Sequence, residues 1–439
     1  MKFADGEKIM QTKNTDQGSK TFPGQRRIDP FRFPSPPRPG SMNIQTTIEN
    51  VAFLIHELGY TVRQNVIKKT IEITKVDDNG NSVTVHNSTI ASAAILHGMN
   101  VNMLSWFLQP IAEANTYNPA AEWIGSEPWD GVDRLPEFYA TVIEADGYPP
   151  KMKEILLYRW MLSIVAAALE PFRFKSRGVL TFQGKQGIGK TRWGQRLVNN
   201  EELRADFVKE DHHLNPTEKD SVLGAISHWI VEIAELEGSF KRDMSKMKGF
   251  ITSDCDKVRP PYGRDTIVHP RRTVFYGTVN DPKFLVDHTG NTRWWTIRAK
   301  ALNHTHDINM QQVFAQLAID YGKKEQWWLT DDEEAMLERL NMDHRVVSAI
   351  QERIEDVLDL DLKSDPHNPA MTPTELMTNI MGMARPTNAQ CRECGAALRE
   401  LLGDPKRING RDKWRIPLRG GSSGSSDGEG PKPAPGEVY

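Results

Sequence analysis

An α/β fold built on a parallel sheet is the class this sequence predicts, and two observations carry that expectation. Short apolar runs at 179–183, 229–233, 273–278 and 294–298 alternate with helical patterns, as parallel strands joined by crossovers do. The first run leads directly into Gly184-Lys185-Gln186-Gly187-Ile188-Gly189-Lys190-Thr191, which satisfies G-x-x-x-x-G-K-[ST] at every fixed position, and a helix is expected over 192–198.

The remaining elements follow in chain order. Residues 1–42 are polar and basic, carry Pro30, Pro34, Pro36, Pro37 and Pro39, and read as a disordered arm. Residues 43–145 read as a small N-terminal mixed α/β domain. Its first helix spans 44–58 and stops at Gly59. A β-hairpin follows, formed by 62–75, the Asp77-Asp78-Asn79-Gly80 turn and 82–86, with helices at 88–97 and 103–115. An amphipathic helix at 151–170, stopped by Pro171, belongs to the core at 146–305. Helical spacing at 308–321, 331–342 and 346–358 gives a helical region over 306–362. Residues 363–418 read as a small winged-helix-like unit. It has a helix start at Thr372-Pro373-Thr374-Glu375, a second helix at 388–402 and a hairpin within 407–417. The Gly/Ser/Pro-rich stretch 419–439 reads as a disordered tail.

Composition narrows the function classes. At 439 residues the chain suits two or three domains. No stretch reaches the roughly 20 apolar residues of a membrane span, and the N-terminus lacks an apolar signal core, so a cytoplasmic protein is expected. Three cysteines exclude a disulfide framework. The net charge of −3 means that any nucleic-acid contact must come from a local basic patch.

The glycine-rich loop is the strongest chemical signal. Its glycines let backbone N–H groups wrap a phosphate chain closely, and the following helix start adds positive potential. Lys190 is placed to reach the β- and γ-phosphates, and the Thr191 hydroxyl to hold Mg²⁺. Gly184, Gln186, Gly187, Ile188, Gly189, Lys190, Thr191 and Arg192 are therefore the expected ATP-binding residues, with Mg²⁺ as the metal.

Such a loop needs carboxylates for the metal and the attacking water. The run His228-Trp229-Ile230-Val231-Glu232-Ile233-Ala234-Glu235 delivers Glu232 at a strand end, with Glu235 just beyond. Glu232 is assigned to Mg²⁺ beside Thr191 and Glu235 to water, although the spacing admits the reverse. Asn280, after the strand at 273–278, is placed to sense the γ-phosphate. Arg293, ahead of Trp294, is the candidate arginine finger for a neighbouring subunit, with Arg298 and Arg264 as alternatives.

Between 241 and 300 there are 13 Lys/Arg against 6 Asp/Glu. A turn at Pro260-Pro261-Tyr262-Gly263 suggests a short hairpin offering cations to phosphate and an aromatic ring to a base. The DNA-contact candidates are Lys257, Arg259, Tyr262, Arg264, Arg271 and Arg272. Cys391-Arg392-Glu393-Cys394 is a lone C-x-x-C inside a helix and reads as a core or surface pair, since a structural zinc site takes four ligands. His212-His213 reads as a solvated loop pair.

Several blocks in order carry a family resemblance. They are Trp129-Asp130-Gly131-Val132-Asp133-Arg134-Leu135, the loop Gln186–Thr191, Trp229-Ile230-Val231-Glu232-Ile233-Ala234-Glu235-Leu236, Arg259-Pro260-Pro261-Tyr262-Gly263-Arg264 and Thr289-Gly290-Asn291-Thr292-Arg293-Trp294-Trp295. This succession resembles the virulence-associated protein E family of phages and mobile islands, which is similar to superfamily 3 helicases. The resemblance implies an AAA+-like P-loop ATPase core and a homo-oligomeric ring, a hexamer. Single-stranded or forked DNA would lie in its pore, in the cytoplasm of a bacterial host. It also implies that Asn280 is the sensor, Arg293 the finger, and 257–272 a DNA-tracking hairpin. Residues 1–120 show no acidic primase constellation. The expected activity is an ATP-dependent DNA helicase or translocase. The alternative is an ATPase that grips DNA or a protein without unwinding.

Overall fold

The computed structural model describes residues 27–172, 174–258, 266–285, 291–346 and 348–419. The chain forms two compact units, divided between Pro119 and Ala120.

In the first unit, α1 (Ile48–Glu57) begins at Thr47, whose hydroxyl accepts the Asn50 N–H as an N-cap. It is followed by β1 (Tyr60–Asn65), β2 (Thr70–Val76), β3 (Ser82–Thr84), α2 (Asn87–Leu96), α3 (Leu104–Glu113) and β4 (Thr116–Tyr117). The sheet order is β3-β2-β1-β4, with β4 parallel to β1. Where the sequence suggested one strand over 62–75 there are two. Asn65 Oδ1 accepts the N–H groups of Ile67 and Lys68, and Lys69 turns the chain at φ 59°. An Asx turn without Gly or Pro leaves little mark in a sequence.

The arm expected over 1–42 also needs correction. Residues 1–26 lie outside the described residues, but 27–42 pack. Phe33 is 2% exposed in a core with Val51, Leu54 and Ala94. The buried Asn50 side chain both accepts from Ser35 N–H and donates to Ser35 carbonyl. One well-placed phenylalanine docks a proline-rich strap whose average composition reads as disorder.

The second unit opens with α4 (Pro119–Ile124), α5 (Leu135–Ala140) and β5 (Val142–Glu144), then the long α6 (Pro150–Leu169). Next come β6 (Val179–Gln183), α7 (Lys190–Gln195), α8 (Glu201–Phe207), β7 (Val208–His212), α9 (Lys219–Ile226), β8 (Ile230–Ile233) and α10 (Leu236–Ile251). These are followed by β9 (Cys255–Val258), β10 (Ile267–Pro270), β11 (Val274–Val279) and β12 (Trp294–Leu302). The main sheet runs β5-β12-β6-β11-β8-β7; β5 is an antiparallel edge and the rest are parallel.

The domain boundary expected at 145 falls earlier because 120–145 are tied to this sheet. Trp123 packs among Phe207, Trp229 and Phe314, and β5 pairs with β12. Helices cover both sheet faces. α6 and α7 pack on the face carrying Phe182 and Tyr276, through Trp160 and Trp193. α10 packs on the face carrying Val179, Val231 and Phe275. α6 was expected to be amphipathic, yet every residue from Trp160 to Ala168 is buried. β7 was not foreseen, because Val208-Lys209-Glu210-Asp211-His212 is polar; His212 ends this strand rather than lying in a loop.

Beyond the sheet lie α11 (Met310–Gly322), α12 (Asp331–Met342) and a C-terminal module. The module comprises α13 (Ala349–Val357), β13 (Ala370–Met371), α14 (Pro373–Asn379), α15 (Asn388–Leu402), β14 (Lys406–Ile408) and β15 (Arg411–Arg415), with strand order β13-β15-β14. Ile350 and Ile354 of α13 share its core with Leu376, Cys394, Leu398 and Trp414. The module therefore begins one helix earlier than the unit expected at 363–418.

Arg272 closes the C-terminus of α6. Its guanidinium donates to the carbonyls of Ala167, Ala168 and Glu170 at 3.2, 2.7 and 2.9 Å. Arg272→Ala leaves these acceptors in a dry site. Urea unfolding is expected to register a loss of about 2–4 kcal/mol.

Candidate nucleotide site at the sheet edge

The C-terminal ends of β6, β8 and β11 lie side by side, and the loop 184–189 leaves β6 at this edge. Gly187 and Gly189 have φ of 84° and 96°, conformations that L side chains rarely adopt. Gly189 also abuts the end of β12: a Cβ there would stand 2.7 Å from the Leu302 carbonyl oxygen. The Leu302 N–H in turn donates to the Ile188 carbonyl at 2.8 Å, so β12 braces the loop from behind. The helix that follows is shorter than the expected 192–198, and α7 spans Lys190–Gln195.

Two side-chain pairs converge here. The Thr191 hydroxyl donates to Glu232 Oε1 at 2.8 Å, across from β8. The Lys190 ammonium donates to Asn280 Oδ1 at 2.7 Å and to the carbonyls of Gly184 and Val279 at 2.6 and 3.0 Å. Lys190, Thr191, Glu232 and Asn280, scattered over 90 residues, thus form one cluster. β11 lies between β6 and β8, which puts Asn280 between the glycine-rich loop and the acidic strand.

Glu232 is 1% exposed. Burial pushes its carboxyl above the usual range, opposed by hydrogen bonds from the Asp211 N–H at 3.1 Å and from the Thr191 and Thr278 hydroxyls. Asp211 reaches it from a left-handed position, φ 47°, in an irregular stretch of β7. Glu235 is exposed, also in the left-handed region at φ 45° and ψ 56°, and begins α10 without a side-chain capping bond. Non-glycine residues held there cost on the order of 1 kcal/mol or more and cluster at functional sites. Gln186 and Arg192 are exposed around the same loop, and Ile188 is half-buried. Thr191 Oγ1 and the Glu232 carboxylate are adjacent hard oxygen donors, a set that suits Mg²⁺.

The other sequence candidates separate. β12 runs parallel to β6 with Trp294 beside Val179 and Arg298 beside Gln183. Arg293 therefore sits at the opposite end of the strands, roughly 16 Å from the loop at about 3.3 Å per residue. Arg298 stands at the loop edge and has no ion-pair partner among the described residues. The basic hairpin exists as β9 paired with β10. Lys257 is exposed on it, while Arg259, Tyr262 and Arg264 lie outside the described residues.

Arg271 and Arg272 are corrections, because both are buried. Arg271 Nε meets Asp256 Oδ1 at 2.7 Å and its guanidinium lies 4.6 Å from the Phe250 ring, while Arg272 caps α6. A count of charges along a chain cannot register that some are spent inside. Sequence reasoning missed Asp211, whose contribution is a backbone N–H with no residue-type signature. It also missed His304, which stands beside Gly189. Cys394 is buried in the core of the C-terminal module.

Residues 124–346 match the family model of the virulence-associated protein E-like domain. The chain belongs to this family. Among solved structures, it is similar to the apo structure of the NrS-1 C-terminal region, with 13% identity and a TM-score of 0.36, covering 84% of this chain and 98% of that one. A structure described as the A form of the same region matches with the same identity and TM-score and 99% coverage of its chain. No curated protein matches. No helix among the described residues of this virulence-associated protein E-like chain is long and apolar enough to cross a membrane.

Because the Glu232 carboxyl holds its proton to a higher pH when folded, its contribution to stability falls as pH rises from the ordinary carboxylate range through the raised folded value. Glu232→Gln can keep the hydrogen bonds to Asp211 and Thr191, with the amide oxygen accepting from the Asp211 N–H and the NH₂ donating to Thr191, and buries no charge. Its thermal midpoint is expected to exceed the wild type's at neutral pH, with the gap closing as pH is lowered. An equal or lower midpoint at neutral pH would contradict this account.

Proposed function

We propose that this protein is a Mg²⁺-dependent ATPase with an AAA+-type core that moves along DNA during replication of a phage or mobile element. The observation that carries the proposal is the convergence of Thr191 on Glu232 and of Lys190 on Asn280 at one strand edge. Family membership supports the mobile-element setting.

In this reading Gly184–Thr191 wraps the phosphates with backbone N–H groups, and Lys190 trades its Asn280 and carbonyl partners for phosphate oxygens. Thr191 and Glu232 hold Mg²⁺, which neutralises charge on the phosphates. Glu235, exposed and with its carboxylate free of a capping bond, orients the attacking water, and Asn280 reports on the γ-phosphate. Arg298 sits where it can meet the nucleotide of its own chain. Arg293, at the far end of the same strands, does not reach the nucleotide of its own chain, and as a finger it would serve a neighbouring copy in a ring. The β9–β10 hairpin, with Lys257 exposed, offers the DNA contact, and strand separation would make the motor a helicase.

ATP hydrolysis by the purified protein is expected to rise with single-stranded DNA and to fall at least about 10²-fold in Lys190→Ala. Arg293→Ala is expected to be slowed by about 10³-fold. Mixing the Lys190→Ala and Arg293→Ala proteins should restore part of the activity, because some shared sites regain both residues. Hydrolysis indifferent to DNA would remove the motor and leave a nucleotide-gated binding protein. Failure of the mixture to recover would remove the shared site.

A further inference from the structure

The C-terminal module carries a charged surface that the nucleotide site does not use. β14 and β15 are joined through Asn409 and Gly410, both at positive φ (51° and 75°), the pattern of a two-residue type I′ hairpin. In this register Lys406 stands opposite Lys413, Arg407 opposite Asp412, and Ile408 opposite Arg411. Because side chains alternate along a strand, Lys406, Arg411, Lys413 and Arg415 share one face, while Trp414 points to the other and is buried.

Like charges directly opposed across two strands destabilise a hairpin, so folding alone gives no reason to set Lys406 against Lys413. Lys413 is compensated by Glu375 at 3.0 Å. Arg415 donates to the Asn368 carbonyl, which leaves its charge in place. Lys406, Arg407 and Arg411 are exposed around the turn, with no ion-pair partner among the described residues. From 385 to 419 there are nine Lys/Arg against four Asp/Glu, in a chain that is acidic overall. Arg385 and Arg392, at the start of α15, are exposed as well.

The kind of polyanion follows from what the module lacks. Sites for single strands combine cations with aromatic rings on which bases stack. Between 349 and 419 the one aromatic residue is Trp414, which is 6% exposed with its indole N–H donated to the Gly403 carbonyl. A surface with cations and no available ring reads phosphates rather than bases. α15, at 15 residues, is long enough to lie along a major groove, which is about 12 Å wide.

We propose that the β14–β15 hairpin and the start of α15 bind the phosphate backbone of double-stranded DNA, and that they do so without nucleotide. This goes beyond the ATPase reading and does not rest on it. The duplex site is remote in sequence from the glycine-rich loop.

The test is binding of the full-length protein, without ATP, to a fluorescent DNA duplex and to the matching single strand, across roughly 50–200 mM salt. The triple variant Lys406→Ala/Arg407→Ala/Arg411→Ala is expected to weaken duplex binding about tenfold or more. It should also flatten the slope of log affinity against log salt by about 2–3, one lost phosphate contact per residue. Single-strand affinity should be unchanged, and Lys190→Ala should bind duplex as the wild type does. Asp412→Asn, which removes the acid that stands opposite Arg407, is expected to tighten duplex binding and tests the surface even if the triple variant unfolds. An unchanged slope in a folded triple variant overturns the proposal. So does equal loss of duplex and single-strand affinity, or loss of duplex binding in Lys190→Ala.

Discussion

Burying a carboxylate at the end of a central strand is costly unless its oxygens are met by donors, and the second unit is arranged around meeting that requirement for Glu232. The Thr191 hydroxyl arrives from the first turn of α7, which requires β6 and the glycine-rich loop to lie one strand away from β8. The Asp211 N–H arrives from the other side, which requires β7 at the sheet edge and a left-handed residue within it. Both of these donors are therefore consequences of the strand order β6-β11-β8-β7. The same order puts Asn280 of the intervening strand against Lys190.

The loop itself is held from behind by tight packing. A side chain on Gly184 would collide with the Ala299 carbonyl, and one on Gly194 with the Tyr276 hydroxyl. Trp193 packs against Trp160 and Phe182, and its indole N–H donates to Thr141 at 2.8 Å. Buried aromatic side chains thus fix α7 on the sheet, and α7 fixes Lys190 and Thr191. A binding site set on packed elements of this kind would have little freedom to lose when a ligand arrives.

The fate of the basic residues shows how far charge counting can mislead. Arg271 and Arg272 sit in the basic stretch 241–300, yet one is paired with Asp256 beside two aromatic rings and the other closes a helix. Guanidinium groups suit such interior positions because a planar fork can satisfy several acceptors at once. Lys406, Arg407 and Arg411 drew no attention as a sequence cluster, but the hairpin register gathers them around one turn. Exposure and register, rather than number, separate structural cations from those left facing solvent.

The sequence by itself determined the parts whose signals are local. The loop Gly184–Thr191, the strand leading into it and the apolar run ending at Glu232 were legible because glycine spacing and hydrophobic periodicity act over a few residues. The C-terminal helices and hairpin were legible for the same reason. Tertiary structure decided whatever depends on distant partners. It docked Phe33 and its proline-rich strap, moved the domain boundary to Pro119 through the packing of Trp123, and buried the second half of α6 on all sides. It also set Arg298 at the loop edge of the sheet and Arg293 beyond the far edge, and brought the Asp211 amide to Glu232. These outcomes turn on burial and strand order, which arise only when segments far apart in the chain compete for the same core, and no local pattern of residues encodes the winner.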